Sequence, residues 1–274
     1  MGDSSPELFV PPLLDEYAEP PQDDFSSWIP GQTESFVPLV PHASVDAYLH
    51  SSLASLVHPD KPLVIGVWGP SGGGKSSVAK WLVSQFPCSA HIAMDDFAYA
   101  SREDIAAAGG DASHPHPFEA PQGYNKELFM SRVREVMAPG RCLVVEGILL
   151  FWWPEIAELC NIRFEMQAPQ DVCRERECQS VCLPHCVLSC ALMSFTGRSK
   201  RSLERNPSMY LPERYAAGGW YDSVVWKYYL EFADTIRGNS EGCPGKHFIV
   251  DGDGLPADVE LRILAYLQQQ AQDT

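Results

Sequence analysis

Residues Gly69–Ser76 read GPSGGGKS and lie between an apolar run and a segment with helical periodicity. The run satisfies the pattern G-x-x-x-x-G-K-[ST], with Gly69, Gly74, Lys75 and Ser76 at the specified positions. Glycines suit such a loop because backbone N–H groups can close around phosphate oxygens when no Cβ intervenes. The following helix adds a partially positive N-terminus. The pattern in this setting predicts a phosphate-binding P-loop.

The residues of this loop have separate chemical tasks. We expect Lys75 to reach the β- and γ-phosphates of a nucleoside triphosphate and the Ser76 hydroxyl to ligate Mg²⁺. ATP and Mg²⁺ are the expected cofactors. The predicted nucleotide-binding residues are Gly69, Ser71, Gly72, Gly73, Gly74, Lys75, Ser76 and Ser77. The plainer alternative is a glycine-rich turn that only starts a helix.

Apolar runs and helical segments alternate along residues 61–270. The predicted strands are Leu63–Val67, His91–Met94, Cys142–Val145, Asn161–Met166 and His247–Val250. The predicted helices are Lys75–Phe86, Lys126–Met137, Pro154–Leu159, Asp222–Ile236 and Asp258–Gln269. This alternation predicts an α/β domain, a P-loop NTPase-type parallel sheet flanked by helices. Glycine and proline clusters at 107–123 and 206–219 predict long loops, and a helical lid is expected near 170–215.

The N-terminal segment has a different composition. Residues 1–42 contain eight prolines and scattered acids, a composition that buries too little apolar surface to fold, so we predict a disordered tail. Residues 43–60 are predicted to hold a docking helix, because apolar residues recur at helical spacing over 44–57. Residues 1–60 carry ten Asp or Glu and no Lys or Arg. We interpret the acidic tail as a segment that could dock a protein partner.

Charge and hydropathy exclude several classes of partner. The formal net charge is −16 and no basic patch is evident, so nucleic acid is not an expected partner. No run reaches the roughly 18 apolar residues of a membrane span, and the N-terminus lacks a secretory signal. We therefore expect no membrane partner and a cytoplasmic protein, with the nucleus as a second location. The nine cysteines are interpreted as reduced thiols.

Acidic side chains follow two of the predicted strands. Asp95 and Asp96 come directly after His91–Met94, and Glu146 follows Cys142–Val145. Ligands of open α/β sheets bind at the carboxyl ends of the strands, so these acids should face the same crevice as Lys75. Phosphoryl transfer needs a carboxylate that deprotonates the attacking hydroxyl and another on the metal side. We assign Asp95 as the base and Glu146 as the metal-side acid; ordinary helix-start or turn acids are the alternative.

The chain lacks the sequence motifs of GTPases and transporter ATPases, two other classes of P-loop protein. The guanine-binding pattern N-K-x-D fails at the last position of Asn125–Leu128, and the transporter-ATPase run L-S-G-G-Q is missing. A kinase of a small hydroxyl-bearing metabolite becomes the leading class.

The order of motifs resembles the nicotinamide riboside kinases, a branch of the uridine kinase-like P-loop kinases. The motifs are GPSGGGKSSVAKWL, then MDDF at 94–97, EGILLF at 146–151 and GWYDSVVWKYYLEF at 219–232. The likeness covers about residues 62–255. It implies a kinase that phosphorylates the 5′-hydroxyl of nicotinamide riboside to give the mononucleotide for NAD synthesis.

The resemblance also implies roles for single residues. Asp95 is implied as the catalytic base that contacts the substrate, with Ser76 and Glu146 near Mg²⁺. Tyr124 is implied to stack on the cationic nicotinamide ring. Asn125 stands where these kinases tend to place an Asp for the ribose hydroxyls, so the charge-assisted part of that contact is lost. A turn that leads into helix Lys126–Met137 is the alternative for both residues.

Arginines of a lid are also implied. Arg174 and Arg176 in CRERE match part of the family's pattern and are predicted to stabilise charge on the transferring phosphate. A solvated helix face explains the alternating charges as well.

A cysteine-rich insertion spans residues 178–197 within the predicted lid. Cys178, Cys182, Cys186 and Cys190 recur every four residues, which differs from the paired spacing of structural zinc sites. An apolar helical extension of the lid is one interpretation, although Pro184 would interrupt it. A translated intron or gene-model error is another, and sequencing the mature transcript would test it.

Two other functions stay open on the sequence alone. One is a uridine or cytidine kinase on the same scaffold. The other is a catalytically weak NTP-binding relative with a regulatory role, an interpretation that Asn125 and the insertion in the lid motivate.

Overall fold

The computed structural model describes residues 53–182 and 216–272 of the 274-residue chain. Five parallel strands form one sheet in the order β2-β3-β1-β4-β5. The strands are β1 (Leu63–Trp68), β2 (Ser89–Ala93), β3 (Cys142–Gly147), β4 (Ile162–Gln167) and β5 (Lys246–Asp251). The α-helices are α1 (Lys75–Gln85), α2 (Arg102–Ala107), α3 (Lys126–Val136), α4 (Pro154–Leu159), α5 (Gln170–Cys182), α6 (Lys227–Gly242) and α7 (Pro256–Gln272).

The sheet is covered on both faces. Every residue of β1 is buried, which is typical of a central parallel strand. Side chains alternate between faces along a strand, and β1 shows this directly. Val64 and Trp68 pack into one core cluster, whereas Ile65 and Val67 pack into the other. Helices on each side pack against these two faces of the sheet.

The strand register places the candidate residues at one edge of the sheet. Glu146 of β3 lies opposite Val67 of β1 and Ala93 of β2. The P-loop follows β1, and a 3-10 turn that contains Asp95 follows β2. The carboxyl ends of three neighbouring strands therefore supply one site.

The predicted fold class is confirmed: the domain is a P-loop NTPase-type parallel α/β fold with flanking helices. All five predicted strands are present, with ends shifted by one or two residues. Helix α2 lies beside the predicted loop 107–123 and was not predicted, although Ser101 and Asp104 form a capping box at its start. The helix predicted over Asp222–Ile236 is instead a π-helix, Tyr221–Trp226, followed by α6.

Other predictions lie wholly or partly outside the described residues. These are the tail 1–42, most of the docking helix, the insertion beyond Cys182 and the loop 206–219 up to residue 215. The described end of the docking segment forms a 3-10 turn, Ala54–Leu56, and Leu53 is buried in the core. Helix α5 is the described part of the predicted lid. Among the described helices, none has both the length and the apolar character needed to cross a bilayer.

Candidate active site

A cavity of about 400 Å³ lies where β1, β2 and β3 end. The P-loop residues 71–77 line it, so all the predicted nucleotide-binding residues except Gly69 meet there. Asp95 and Glu146 line it from the neighbouring strands, and Arg176 lines it from α5. The loop between β5 and α7 contributes Gly252 and other residues. The structure thus brings most of the predicted site into one concave surface.

Gly72 is a position in this loop where a side chain is excluded. Its φ is +76°, in the left-handed region that favours glycine. A Cβ at this position would collide with the backbone carbonyl oxygen of Cys173 in α5. The loop and the first turns of α5 therefore pack backbone against backbone, which only glycine permits.

We expect Gly72→Ala to weaken ATP binding about tenfold or more, because left-handed backbone costs an alanine about 1–2 kcal/mol and the collision with Cys173 must also be relieved. Isothermal titration calorimetry measures this directly. Gly109→Ala is the matched control, since Gly109 has a φ of +80° but open space around it. The control should lose stability and keep its ATP affinity. Equal ATP affinity for Gly72→Ala and the wild type would contradict the expectation.

Lys75 begins α1 and reaches back across the loop. Its ammonium donates to the carbonyl of Pro70 at 2.8 Å, and the Gly73 amide donates to the same carbonyl at 3.0 Å. This arrangement closes the loop and keeps the lysine charge at the cavity. The same charge helps to lower the pKa of Glu146. Lys75 is therefore positioned to attract an anion into the cavity.

Glu146 is the most buried acid of the cavity, with 5% of its surface exposed. The Ser76 hydroxyl donates to its Oε1 at 2.9 Å, and His91 Nε2 lies 3.7 Å from the same oxygen. Burial alone would raise the pKa of this carboxyl. His91, Lys75 and Ser76 outweigh burial and hold the pKa below its usual value. Glu146 therefore carries its negative charge at neutral pH.

The pair of Ser76 and Glu146 fits a magnesium ion. Mg²⁺ prefers hard oxygen ligands, keeps several waters and is usually bound through one or two protein oxygens together with substrate phosphates. A hydroxyl and a charged carboxylate side by side in a phosphate-binding cavity meet that requirement. No group of three or more His, Cys, Asp or Glu within the described ranges could hold a metal. A nucleotide-associated Mg²⁺ does not need such a group.

Asp95 lies in the 3-10 turn Met94–Phe97, directly after β2. The turn is anchored because Met94 and Phe97 are buried, which leaves the Asp95 carboxylate at the cavity wall. The hydroxyl of Tyr124 lies 3.5 Å from Asp95 Oδ1. The predicted base thus shares the cavity with Lys75 and Glu146.

The structure places Tyr124 and Asn125 beside Asp95, at the start of α3. Tyr124 is only 4% exposed and packs in the core, so its hydroxyl, more than its ring face, points at the base. The Asn125 side-chain oxygen accepts the amide of Leu128 at 2.9 Å and caps α3. Its amide nitrogen is therefore the part of this side chain suited to contact a ribose hydroxyl.

The two predicted lid arginines have different surroundings. Arg176 lines the cavity and donates to the carbonyls of Gly252 at 2.8 Å and Gly254 at 3.1 Å. It thereby joins α5 to the loop after β5. Arg174 is not among the residues that line the cavity, and it forms an ion pair with Asp222 at 2.8 Å. In this structure Arg176 is the arginine at the cavity, and Arg174 is held at the π-helix.

Three contacts of the site were not predicted. His91 beside Glu146 was not assigned a role, although a histidine among the small and apolar residues of β2 is a visible signal. Arg176 is held by backbone carbonyls of the loop after β5, and a contact to the backbone cannot be recognised from the side chains of the sequence. Tyr221 donates to the Ser71 carbonyl across 150 positions of sequence, a contact that no local pattern reveals.

Comparisons with known proteins find similarity over part of the chain. No family model matches the chain. Uridine kinase from Streptococcus thermophilus is 26% identical over 42% of this chain and 64% of the relative, and uridine kinase from Clostridium perfringens is 28% identical over 41% of this chain and 64% of the relative. The chain thus spans about 64% of the length of these curated relatives.

A solved structure of shikimate kinase from Acinetobacter baumannii aligns with 80% of this chain and 98% of that chain, at 13% identity and a TM-score of 0.41. The fold assignment rests on the chain's own sheet order and P-loop. The chain is thus similar in part of its sequence to uridine kinases, and its own structure has the P-loop fold.

Proposed function

We propose that this protein transfers the γ-phosphoryl group of ATP to the 5′-hydroxyl of a nucleoside. The observation that carries the proposal is the convergence of Lys75, the Ser76–Glu146 pair and Asp95 on one cavity at the end of a parallel sheet. The first two groups bind a triphosphate, and the third supplies a base for an incoming hydroxyl. A module that only binds a nucleotide needs no general base, so the position of Asp95 favours a transferase.

The chemical step requires one proton acceptor. As the 5′-oxygen forms its bond to the γ-phosphorus, the bond from that phosphorus to the β–γ bridging oxygen breaks and ADP leaves. The proton of the hydroxyl passes to the Asp95 carboxylate, which lies at the cavity wall. The Tyr124 hydroxyl, 3.5 Å from Oδ1, orients that carboxylate. Asp95 is thus the catalytic residue of the proposal.

The remaining groups bind and neutralise the triphosphate. P-loop amides and Lys75 cradle the phosphates, and Arg176 covers them from α5. Ser76 and Glu146 would hold Mg²⁺, which when bound neutralises charge on the phosphate oxygens.

We propose nicotinamide riboside as the acceptor. The order of the motifs MDDF, EGILLF and GWYDSVVWKYYLEF supports this choice. The cavity wall also carries the carboxylate of Asp95, and a negative charge there favours a cationic pyridinium over a neutral base. The product would be the mononucleotide used in NAD synthesis.

Uridine or cytidine is the second candidate acceptor. The relatives reported above are named uridine kinase, and that similarity specifically favours a pyrimidine nucleoside. A catalytically weak regulatory relative is the remaining alternative. The Asn125 side-chain oxygen caps α3, so this oxygen is not available to bind a ribose hydroxyl.

Steady-state kinetics separate these alternatives. The purified full-length protein is assayed with Mg-ATP against nicotinamide riboside, uridine, cytidine and pantothenate. We expect the highest kcat/KM for nicotinamide riboside. A higher value for uridine or cytidine would overturn the nicotinamide assignment alone. No product from any acceptor, with ATP still bound, would support the regulatory alternative.

A further inference from the structure

Tyr221 is fully buried and makes a contact with the P-loop that the proposed chemistry does not use. It begins the π-helix Tyr221–Trp226, and π-helical turns occur frequently at functional sites. Its hydroxyl donates to the backbone carbonyl of Ser71 at 2.7 Å. Its side chain packs with Cys173 and Val225 in a small core cluster of its own. The ring is thus held in place by packing, and its hydroxyl reaches the loop.

The contact fixes one peptide plane of the P-loop. The Ser71–Gly72 peptide is trans, so its C=O and N–H groups point in opposite directions. Ser71 and Gly72 line the cavity, whereas Tyr221 does not. Because the Ser71 carbonyl points to Tyr221, the Gly72 N–H points away from Tyr221 and is available to phosphates in the cavity. A reversed peptide would instead turn a carbonyl oxygen toward the phosphates.

We propose that Tyr221 is a positioning residue for nucleotide binding, which holds the Ser71–Gly72 peptide with its N–H toward the phosphates. This inference rests on the proposed function, since it requires a nucleotide in the P-loop. The same peptide is restrained from α5, where the Cys173 carbonyl lies against Gly72. The Ser71–Gly72 peptide is therefore restrained by two elements: the π-helix through a hydrogen bond and α5 through a close backbone contact.

The segment that carries Tyr221 is itself anchored. The neighbouring Asp222 accepts two hydrogen bonds from Arg174, at 2.8 and 2.9 Å. It also accepts from the Gln170 side chain at 2.9 Å and from the Gly218 amide at 2.7 Å. Burial raises the pKa of the Tyr221 phenol, so the hydroxyl keeps its proton at neutral pH. The ion pair of Arg174 with Asp222 thus serves to hold the π-helix that carries Tyr221.

Tyr221→Phe tests the inference because it removes the hydroxyl and keeps the ring. The affinity of the full-length protein for Mg-ATP is measured by isothermal titration calorimetry well below the melting temperature. We expect ATP affinity to fall about 3- to 10-fold, the range that one net hydrogen bond provides. Tyr228→Phe is the matched control: it removes a hydroxyl from a buried tyrosine of α6 that is not among the cavity-lining residues, and its ATP affinity should match the wild type.

The outcomes are distinct. If Tyr221→Phe binds ATP as tightly as the wild type, the positioning role is overturned and the proposed function stands. If the wild type itself binds no ATP, the proposed function fails and the role of Tyr221 with it. Should Tyr221→Phe not fold, Asp222→Asn replaces it, because this variant keeps the hydroxyl and loosens its anchor. Weaker ATP binding by Asp222→Asn supports the inference, and unchanged or tighter binding overturns it.

Discussion

Asp95→Asn is expected to lower kcat about 10²- to 10⁴-fold, the range that a positioned general base contributes. The asparagine has nearly the same shape and cannot accept the proton of the 5′-hydroxyl. Because Asp95 lies beyond the P-loop, on the wall of the cavity toward Tyr124, ATP affinity should change little. Steady-state kinetics with Mg-ATP and nicotinamide riboside give kcat, and calorimetry gives the ATP affinity.

Asp96→Asn is the matched control for this prediction. Asp96 shares the turn Met94–Phe97 with Asp95 but is not among the residues that line the cavity. The control variant should keep kcat close to that of the wild type. A kcat for Asp95→Asn within about tenfold of the wild type would remove the base assignment, since a positioned base contributes about 10²-fold at least.

Glu146→Gln is expected to lower kcat/KM by about 10²-fold at low Mg²⁺ concentration. The glutamine can keep the hydrogen bond from Ser76 but loses the negative charge that faces Lys75 and the metal. An effect of about 3 kcal/mol, the upper value for hydrogen bonds to charged groups, corresponds to about 10²-fold in rate. The readout is activity as a function of Mg²⁺ concentration, and the half-saturating concentration should rise.

Glu155→Gln is the control for the change of charge. Glu155 is half-exposed in α4, forms an ion pair with Lys126 at 2.6 Å and is not among the cavity-lining residues. Its replacement should leave the Mg²⁺ dependence unchanged. If Glu146→Gln shows the same half-saturating Mg²⁺ concentration as the wild type, Glu146 does not act on the metal side.

The parts of the fold and site that could be predicted share one property: the residues that form them lie close together in the sequence or directly at the ends of strands. The P-loop needs glycines, a lysine and a serine in one short run, and Asp95 and Glu146 are adjacent to apolar strands. Parallel strands bring their carboxyl ends to one edge, so local positions were sufficient to place these residues in one cavity.

The unpredicted parts depend on contacts between distant segments. Arg174 was expected at the phosphates, but Asp222, 48 positions away, holds it in the structure. In the π-helix, Tyr221 contacts Ser71 and Asp222 contacts Arg174, and neither contact has a sequence signature. The turn into α3, the alternative to a ribose contact for Asn125, is a local feature, and in the structure the Asn125 side chain also caps that helix.

The most direct test follows the γ-phosphate of ATP. Full-length protein is incubated with Mg²⁺, γ-¹⁸O-labelled ATP and nicotinamide riboside, and the products are analysed by mass spectrometry. We expect the labelled phosphate in the 5′-mononucleotide, and at most a trace of it with Asp95→Asn. Labelled inorganic phosphate without any labelled nucleotide, or label that stays in ATP with every nucleoside tested, would contradict a nucleoside kinase.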